Sequence, residues 1–315
     1  MKNWPKISIV TINYNQAQYL EETILSVLNQ NYPNLEYIII DGGSNDGSVE
    51  IIKRYANQLA YWESEKDEGS YHAVQKGFDK CSGDIMAWIS SDDFYVPNAF
   101  FAVAEIFETF PEVKWVMGIP REYTAKGSMI SRISLPWSRW SKYRFYTRDF
   151  QFIQQESSFW KREVWEKAGS MMDLSFSYAG DLELWSRFFR NYKLHTTLAT
   201  LAGFRHHHNK QKSVEFRKDY MRECERAIDR ELQNKSFFQR LFYLFLRLMS
   251  FVFGPFFFYD IPILNLFYQK LFAIPKPINY DFETEKYTRR NQMVKLPPLY
   301  FFKRQIHRKM FKSKS

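Results

Sequence analysis

The sequence predicts an α/β protein built on a doubly wound, mostly parallel sheet, followed by a helical C-terminal extension. Three observations carry this. Short β-branched runs alternate with helix-periodic runs through the first third of the chain. Each strand-like run ends in polar groups, at Asn13, Asp41 and Asp92-Asp93. The composition then shifts late, where much of the excess of 30 Phe residues lies.

Residues 7–12, a β-branched run, form the first strand and end in Asn13-Tyr14-Asn15. Residues 19–30 carry helical periodicity through Leu20, Ile24, Val27 and Leu28, with Glu21 and Glu22 in the opening turn. Residues 35–40 form the second strand, which runs into Asp41-Gly42-Gly43-Ser44-Asn45-Asp46. Gly and Asn there allow positive φ, so backbone can approach a ligand. Asp46 or Ser48 can cap a helix over 49–55. Residues 59–62 suit a third short strand, and 67–80 a loop and helix.

The run from Asp84 to Asp93 is the most informative. Ile85, Met86, Ala87, Trp88 and Ile89 suit a strand buried on both faces. At its end Asp92 and Asp93 repel each other unless a cation or hydrogen-bond donors intervene. Ligands bind at the carboxyl ends of parallel strands, and a divalent ion carrying phosphate suits such a place. Oxygen ligands favour Mg²⁺ or Mn²⁺. Taken alone, the pair also reads as a solvated turn capping the next helix.

Beyond it, residues 113–119 suit another strand, and 123–150 a loop and helix on the acceptor side or a solvated connector. Asp181 follows Ala179-Gly180 and opens a helix with Leu182, Leu184, Trp185 and Phe188 on its apolar side. It reads either as a helix cap or as a general base. His206, His207 and His208 follow Arg205; adjacent residues point different ways, so all three cannot serve one metal.

Residues 215–235 favour a charged helix. Residues 237–277 are apolar, but Arg247, Gly254-Pro255, Asp260 and Pro262 interrupt them. A spanning helix needs about 20 apolar residues, so a segment lying in one leaflet is favoured over a spanning one. A hairpin packed on the domain or on a second copy is the other reading. Residues 301–315 hold Lys303, Arg304, Arg308, Lys309, Lys312 and Lys314 and no acid, which suits an anionic membrane surface. Nucleic acid is the rival target, without any recognition motif. The net charge of +9 fits phosphorylated or anionic partners in general. Cys81 and Cys224, without metal spacing, suit a reducing compartment, and residues 1–6 give no expectation of a secretory signal.

In combination, VTINYNQAQYLEETILSVLNQ, YIIIDGGSNDGSVEIIKRY and SEKDEGSYHAVQKGFDKCSGDIMAWISSDDFYVPNAF resemble glycosyltransferase family 2, of the GT-A fold. The resemblance implies an inverting transfer from a nucleotide-diphosphate sugar, with UDP favoured and GDP or dTDP open, to a saccharide or lipid-linked acceptor. It implies that Thr11 and Asn13 line the nucleotide pocket and that Asp41 and Asp67 meet base and ribose. Lys76 would sit near the donor phosphates or orient the pocket. Asp92 would hold ribose or metal, and Asp93 would ligate Mg²⁺ or Mn²⁺ directly. His72 and Gln75 depart from the family pattern.

The resemblance continues through FIQQESSFWKREVWEKAG and YAGDLELWSRFF, where Asp181 falls on the base position. Gln155 and Ser157 match that segment, whereas Glu156 stands where Pro is common and becomes a second candidate carboxylate. Glu183 shares the helix turn but points elsewhere. One histidine joins Asp93: counting from Arg205 selects His207, and counting back from Lys212-Ser213 selects His208. Arg205 and Lys212 would assist the leaving diphosphate. The expected organisation is a GT-A domain over 1–215, with donor half 1–110 and acceptor half 111–215. A membrane-associating region over 216–315 lies outside the resemblance. The setting implied is cell-surface polysaccharide synthesis at the cytoplasmic face of the membrane, peripheral or monotopic, with a second copy as a candidate partner and no nucleic acid.

Two rival functions fit less well. A sugar nucleotidyltransferase needs a Gly-rich, basic loop after the first strand, and Asn13-Tyr14-Asn15-Gln16-Ala17-Gln18 has neither feature. A non-catalytic binding protein is expected to lose a carboxylate, yet Asp41, Asp92, Asp93 and Asp181 all stand.

Overall fold

The computed structural model describes residues 2–119, 121–130, 140–148, 153–207, 216–260 and 262–289. The first half alternates: β1 (Ile7–Asn13), α1 (Ala17–Leu28), β2 (Leu35–Asp41), α2 (Ser48–Tyr55), β3 (Tyr61–Ser64), α3 (Ser70–Lys80) and β4 (Ile85–Ser90). β3 begins later than the sequence suggests because a short turn at Ala56–Gln58 precedes it and its ladder partner is Ile38–Asp41.

The second half adds β5 (Phe94–Tyr95), α4 (Ala99–Thr109), β6 (Trp115–Met117), β7 (Glu122–Thr124), β8 (Met129–Ile130), α5 (Lys142–Tyr146), β9 (Ser158–Lys161), α6 (Arg162–Lys167), α7 (Gly180–Asn191), β10 (Leu194–Thr196) and β11 (Ala202–His206). The chain continues through α8 (Arg217–Gln233), α9 (Phe237–Asp260), α10 (Pro262–Leu271), β12 (Ile278–Asp281) and β13 (Lys286–Arg289).

Among the described residues the main sheet has the order β10-β6-β9-β4-β1-β2-β3. All its pairings are parallel except those of β9, which runs antiparallel between β4 and β6. A smaller sheet, β5-β11-β7-β8, sits at the carboxyl edge, and β12-β13 form a hairpin. The stretch expected as a loop and helix thus supplies the β7-β8 hairpin as well as α5.

Alternate residues of each strand enter opposite apolar layers, as the two-residue period requires. Val10, Ile38, Ile40, Met86 and Trp88 face one layer. Ile9, Ile39, Ile85, Ala87 and Ile89 face the other. The first layer fixes α7. Trp185 stacks on Trp88 and Trp115 with centroids 5.5 and 5.1 Å away and meets Trp160 edge-on at 5.6 Å. Such ring pairs each add about 0.5–1.5 kcal/mol beyond burial. Gly77 lets α3 sit close on β1: a Cβ there would lie 2.3 Å from Val10 Cγ1.

α8 buries Cys224, Ala227 and Ile228 in the same layer as Trp165, Leu184 and Phe188. The extension therefore starts as part of the α/β unit. α9 runs through Gly254 and Pro255, where the sequence suggested a break; Pro262 instead opens α10, at the helix position proline tolerates best. The basic tail, 301–315, lies outside the described residues.

Candidate functional site

Parallel register brings the polar strand ends together. Asn13 and Asp41 are ladder partners. The Asp41 carboxylate accepts from Asn13 Nδ2 (2.6 Å), Ser44 N (2.9 Å), Ser44 Oγ (2.6 Å) and Ser64 Oγ (2.6 Å). Two loops are thereby tied to one buried charge. Asp46 accepts from Ala17 N at 2.8 Å and from Ser48 N at 3.1 Å, so it caps the entry to both α1 and α2. Asp67 lies over Gly42: a Cβ there would sit 2.6 Å from Asp67 Oδ2.

Two expected donor residues are engaged within the protein. Thr11 is fully buried and shares a 2.9 Å hydrogen bond with Tyr37. The Lys76 ammonium pairs with Glu63, and Glu65 lies 3.8 Å off. Both departures from the family pattern have hydrogen-bond partners within the protein. His72 Nδ1 accepts from Glu68 N at 3.1 Å, and Gln75 Oε1 accepts from Met172 N at 2.7 Å.

Asp92 and Asp93 leave β4 and meet β11. Arg205 N donates to Asp93 Oδ1 (2.9 Å), and Arg205 Nε donates to the Asp92 carbonyl (2.8 Å). The guanidinium, only 2% exposed, pairs with Glu22 at 2.7 Å and lies over the rings of Tyr19 and Phe94 at 5.0 and 5.2 Å. His207 Nε2 is 2.9 Å from Asp92 Oδ2. Asp93 is buried, and burial, then Asp92 and Glu156, push its carboxyl well above the usual range. α1 thus contributes Tyr19 and Glu22, which sequence reasoning missed; because the helix starts at Ala17, Glu22 lies in its second turn rather than the opening one.

These donors suit a divalent ion. Among the described residues no three His, Cys, Asp or Glu side chains gather closely enough to hold one unaided. Mg²⁺ and its kin need no more than one or two carboxylates when phosphate oxygens and water supply the rest. Asp92 and Asp93 meet that requirement, the electrostatic strain on Asp93 is what a cation relieves, and the buried Nδ1 of His207 has no partner. His208 and Lys212 lie outside the described residues, so His207 is the histidine seen on this pair.

Asp181 opens α7 opposite α3. Tyr71 hydroxyl is 3.2 Å from Asp181 Oδ1 and 3.1 Å from the Tyr178 carbonyl. The preceding loop is held from α8: Glu223 accepts from Ser177 N (2.9 Å), Tyr178 N (2.8 Å) and Ala179 N (2.8 Å). Burial raises the Asp181 carboxyl to about 6, against hydrogen bonds from Leu182 N and Tyr71 that lower it. That is near the optimum for proton abstraction at neutral pH. Glu183 turns away and pairs with Arg187 at 2.7 Å.

Glu156 links the two groups. It is 2% exposed, and its Oε1 has no hydrogen-bond partner. Burial first, with smaller contributions from the charges of Asp92 and Asp181, raises its carboxyl to about 8 against hydrogen bonds that lower it. The side-chain amide of the preceding Gln155 donates to the Trp88 carbonyl, which holds Glu156 beside the strand that leads to Asp92-Asp93, and the Glu156 carboxyl also feels the charge of Asp181.

A family model for glycosyl transferase family 2 matches residues 8–162. An uncharacterized glycosyltransferase of Mycobacterium tuberculosis is 32% identical over 187 residues, covering 58% of this chain and 68% of that protein. Among solved structures, Staphylococcus aureus TarS 1–349 in complex with UDP-GlcNAc aligns with a TM-score of 0.61 and 15% identity, over 84% of this chain and 79% of that one. The mannosyltransferase PcManGT of Pyrobaculum calidifontis, in complex with GDP-Man and Mn²⁺, aligns with a TM-score of 0.56 and 17% identity, over 75% of this chain and 69% of that one.

Proposed function

The chain belongs to glycosyl transferase family 2; from that premise we propose that it moves a sugar from a nucleotide-diphosphate donor to an acceptor hydroxyl by a single inverting displacement. The observation that carries this reading is Asp181, a carboxyl at the opening of α7, 3.2 Å from the Tyr71 hydroxyl of α3 and raised to about 6.

The acceptor hydroxyl gives its proton to Asp181 while its oxygen bonds the anomeric carbon. The bond from that carbon to the diphosphate breaks, and the nucleotide diphosphate leaves. Tyr71 orients the base, and Glu223 fixes the loop that presents it. Asp93, with Asp92 and His207, would hold a Mg²⁺ or Mn²⁺ ion, whose chemistry when bound is Lewis-acid offset of charge on the departing diphosphate. Asn13 and Asp41, at the ends of β1 and β2, and Asp67, which lies over Gly42, would receive the nucleoside. Thr11 and Lys76 support this pocket through Tyr37 and Glu63.

The donors bound by TarS (UDP-GlcNAc) and PcManGT (GDP-Man) favour a nucleotide sugar here, with UDP as the first candidate. For the acceptor we favour a lipid-linked saccharide of cell-surface polysaccharide synthesis, handled at the cytoplasmic face of the membrane. The exposed apolar helix α9 and the two free, buried cysteines support that setting. The test is a thermal-shift screen of UDP, GDP and dTDP, each with and without Mn²⁺, since a bound nucleotide raises the melting point. One nucleotide should stabilise the protein more when Mn²⁺ is present; no shift with any of them would refute the reading.

A further inference from the structure

α9 has two unlike faces. Tyr243 and Leu246 are buried, and Tyr243 packs against Tyr146 with centroids 5.1 Å apart, which fixes the helix on α5. On the other side Phe237, Leu241, Leu244, Leu248 and Phe251 recur in steps of four, three, four and three, the spacing of one helical stripe. They are 69%, 46%, 53%, 55% and 87% exposed. Phe238 beside them is 80% exposed. Soluble proteins rarely leave so long an apolar stripe uncovered.

The charge around the stripe identifies what covers it. Arg240 and Arg247 are exposed on α9 and Lys270 on α10. From Phe237 to Leu271 the sequence holds one acid, Asp260. A second copy seated on this face would bring arginines against arginines with few carboxylates to pair them. An anionic lipid surface offers the opposite charge and an apolar layer together. No helix among the described residues is long and apolar enough to cross a membrane. The six bases and no acid of residues 301–315 add to the same attraction.

We propose that the Phe237–Phe251 stripe of α9, with Arg240, Arg247 and Lys270 beside it, docks the protein flat on an anionic lipid bilayer. The surface is independent of the transfer chemistry, and it can fail or stand whatever the donor proves to be.

The experiment is co-sedimentation of the full chain with phosphatidylcholine vesicles and with vesicles that also contain phosphatidylglycerol. Binding to the anionic vesicles is expected, falling as salt rises. The variant Leu244→Ser/Leu248→Ser/Phe251→Ser should lose tenfold or more of that affinity. Arg240→Gln/Arg247→Gln should lose about fivefold per residue on anionic vesicles alone. Melting points of both variants measured beside the parent show that they fold; all substituted side chains are exposed. Parent protein that stays in solution with both vesicles overturns the proposal. So does a serine variant that folds and binds as the parent does. A parent dimer that the serine variant turns into monomer, without vesicle binding, also overturns it in favour of a second copy.

Discussion

The Tyr71 hydroxyl lies 3.2 Å from Oδ1 of Asp181, joining α3 to the opening turn of α7. The contact spans 110 positions of sequence. Gly180 makes it possible, because a Cβ there would come within 2.7 Å of the Tyr71 ring. Tyr71→Phe should leave nucleotide affinity unchanged and reduce kcat about two- to tenfold, the worth of one hydrogen bond. The bond lowers the Asp181 carboxyl, so its loss should move the acidic limb of the kcat profile to higher pH. A limb that stays put or moves down would argue against the orienting role.

The pH dependence follows from Asp181 itself. As a base it must be ionised, and burial raises it to about 6. kcat should therefore be level above that pH and fall about tenfold per unit below it. A steady-state profile at saturating donor, from pH 4.5 to 8.5 in steps of about half a unit, checks this.

Glu156 makes a prediction about stability rather than rate. Its folded carboxyl, at about 8, stands above the ordinary 4.5. Folding then takes up a proton between those values, so stability is fully present below the lower one and declines as pH rises toward the upper. Chemical denaturation of Glu156→Gln at pH 5 and pH 8 should show a smaller decline than in the parent, because the amide cannot ionise beside Asp92 and Asp181. Equal declines in the two proteins would contradict the assignment.

Much of the site was legible because parallel strands share a carboxyl edge: Asn13, Asp41 and Asp92-Asp93 had to converge once β1, β2 and β4 were read as parallel. Asp181 was legible as the carboxylate opening an aromatic helix, and Trp185 explains why that helix lies where it does. Glu223, Tyr71 and Glu22 were not legible. Their partners are loop N–H groups, a carboxylate and an arginine more than 40 residues away, and no local periodicity encodes such contacts. The antiparallel β9 was hidden for a similar reason: a short apolar segment carries no mark of its direction.

Arg205 should prove structural as well as electrostatic. Its side chain donates to the carbonyls of Asp92 and Ala125 and pairs with Glu22. Arg205→Ala leaves buried acceptors unpaired and should cost about 2–4 kcal/mol by urea denaturation. Lysine cannot reproduce the fork or its place over Tyr19 and Phe94, so Arg205→Lys should recover less than half of the loss.

The most direct test separates binding from transfer at Asp181. With the donor that the nucleotide screen selects, Asp181→Asn should bind the nucleotide as tightly as the parent by calorimetry while kcat falls about 10²–10⁴-fold. Transfer by Asp181→Asn at a rate near that of the parent, with the donor bound, would contradict the assignment of the base and the displacement built on it.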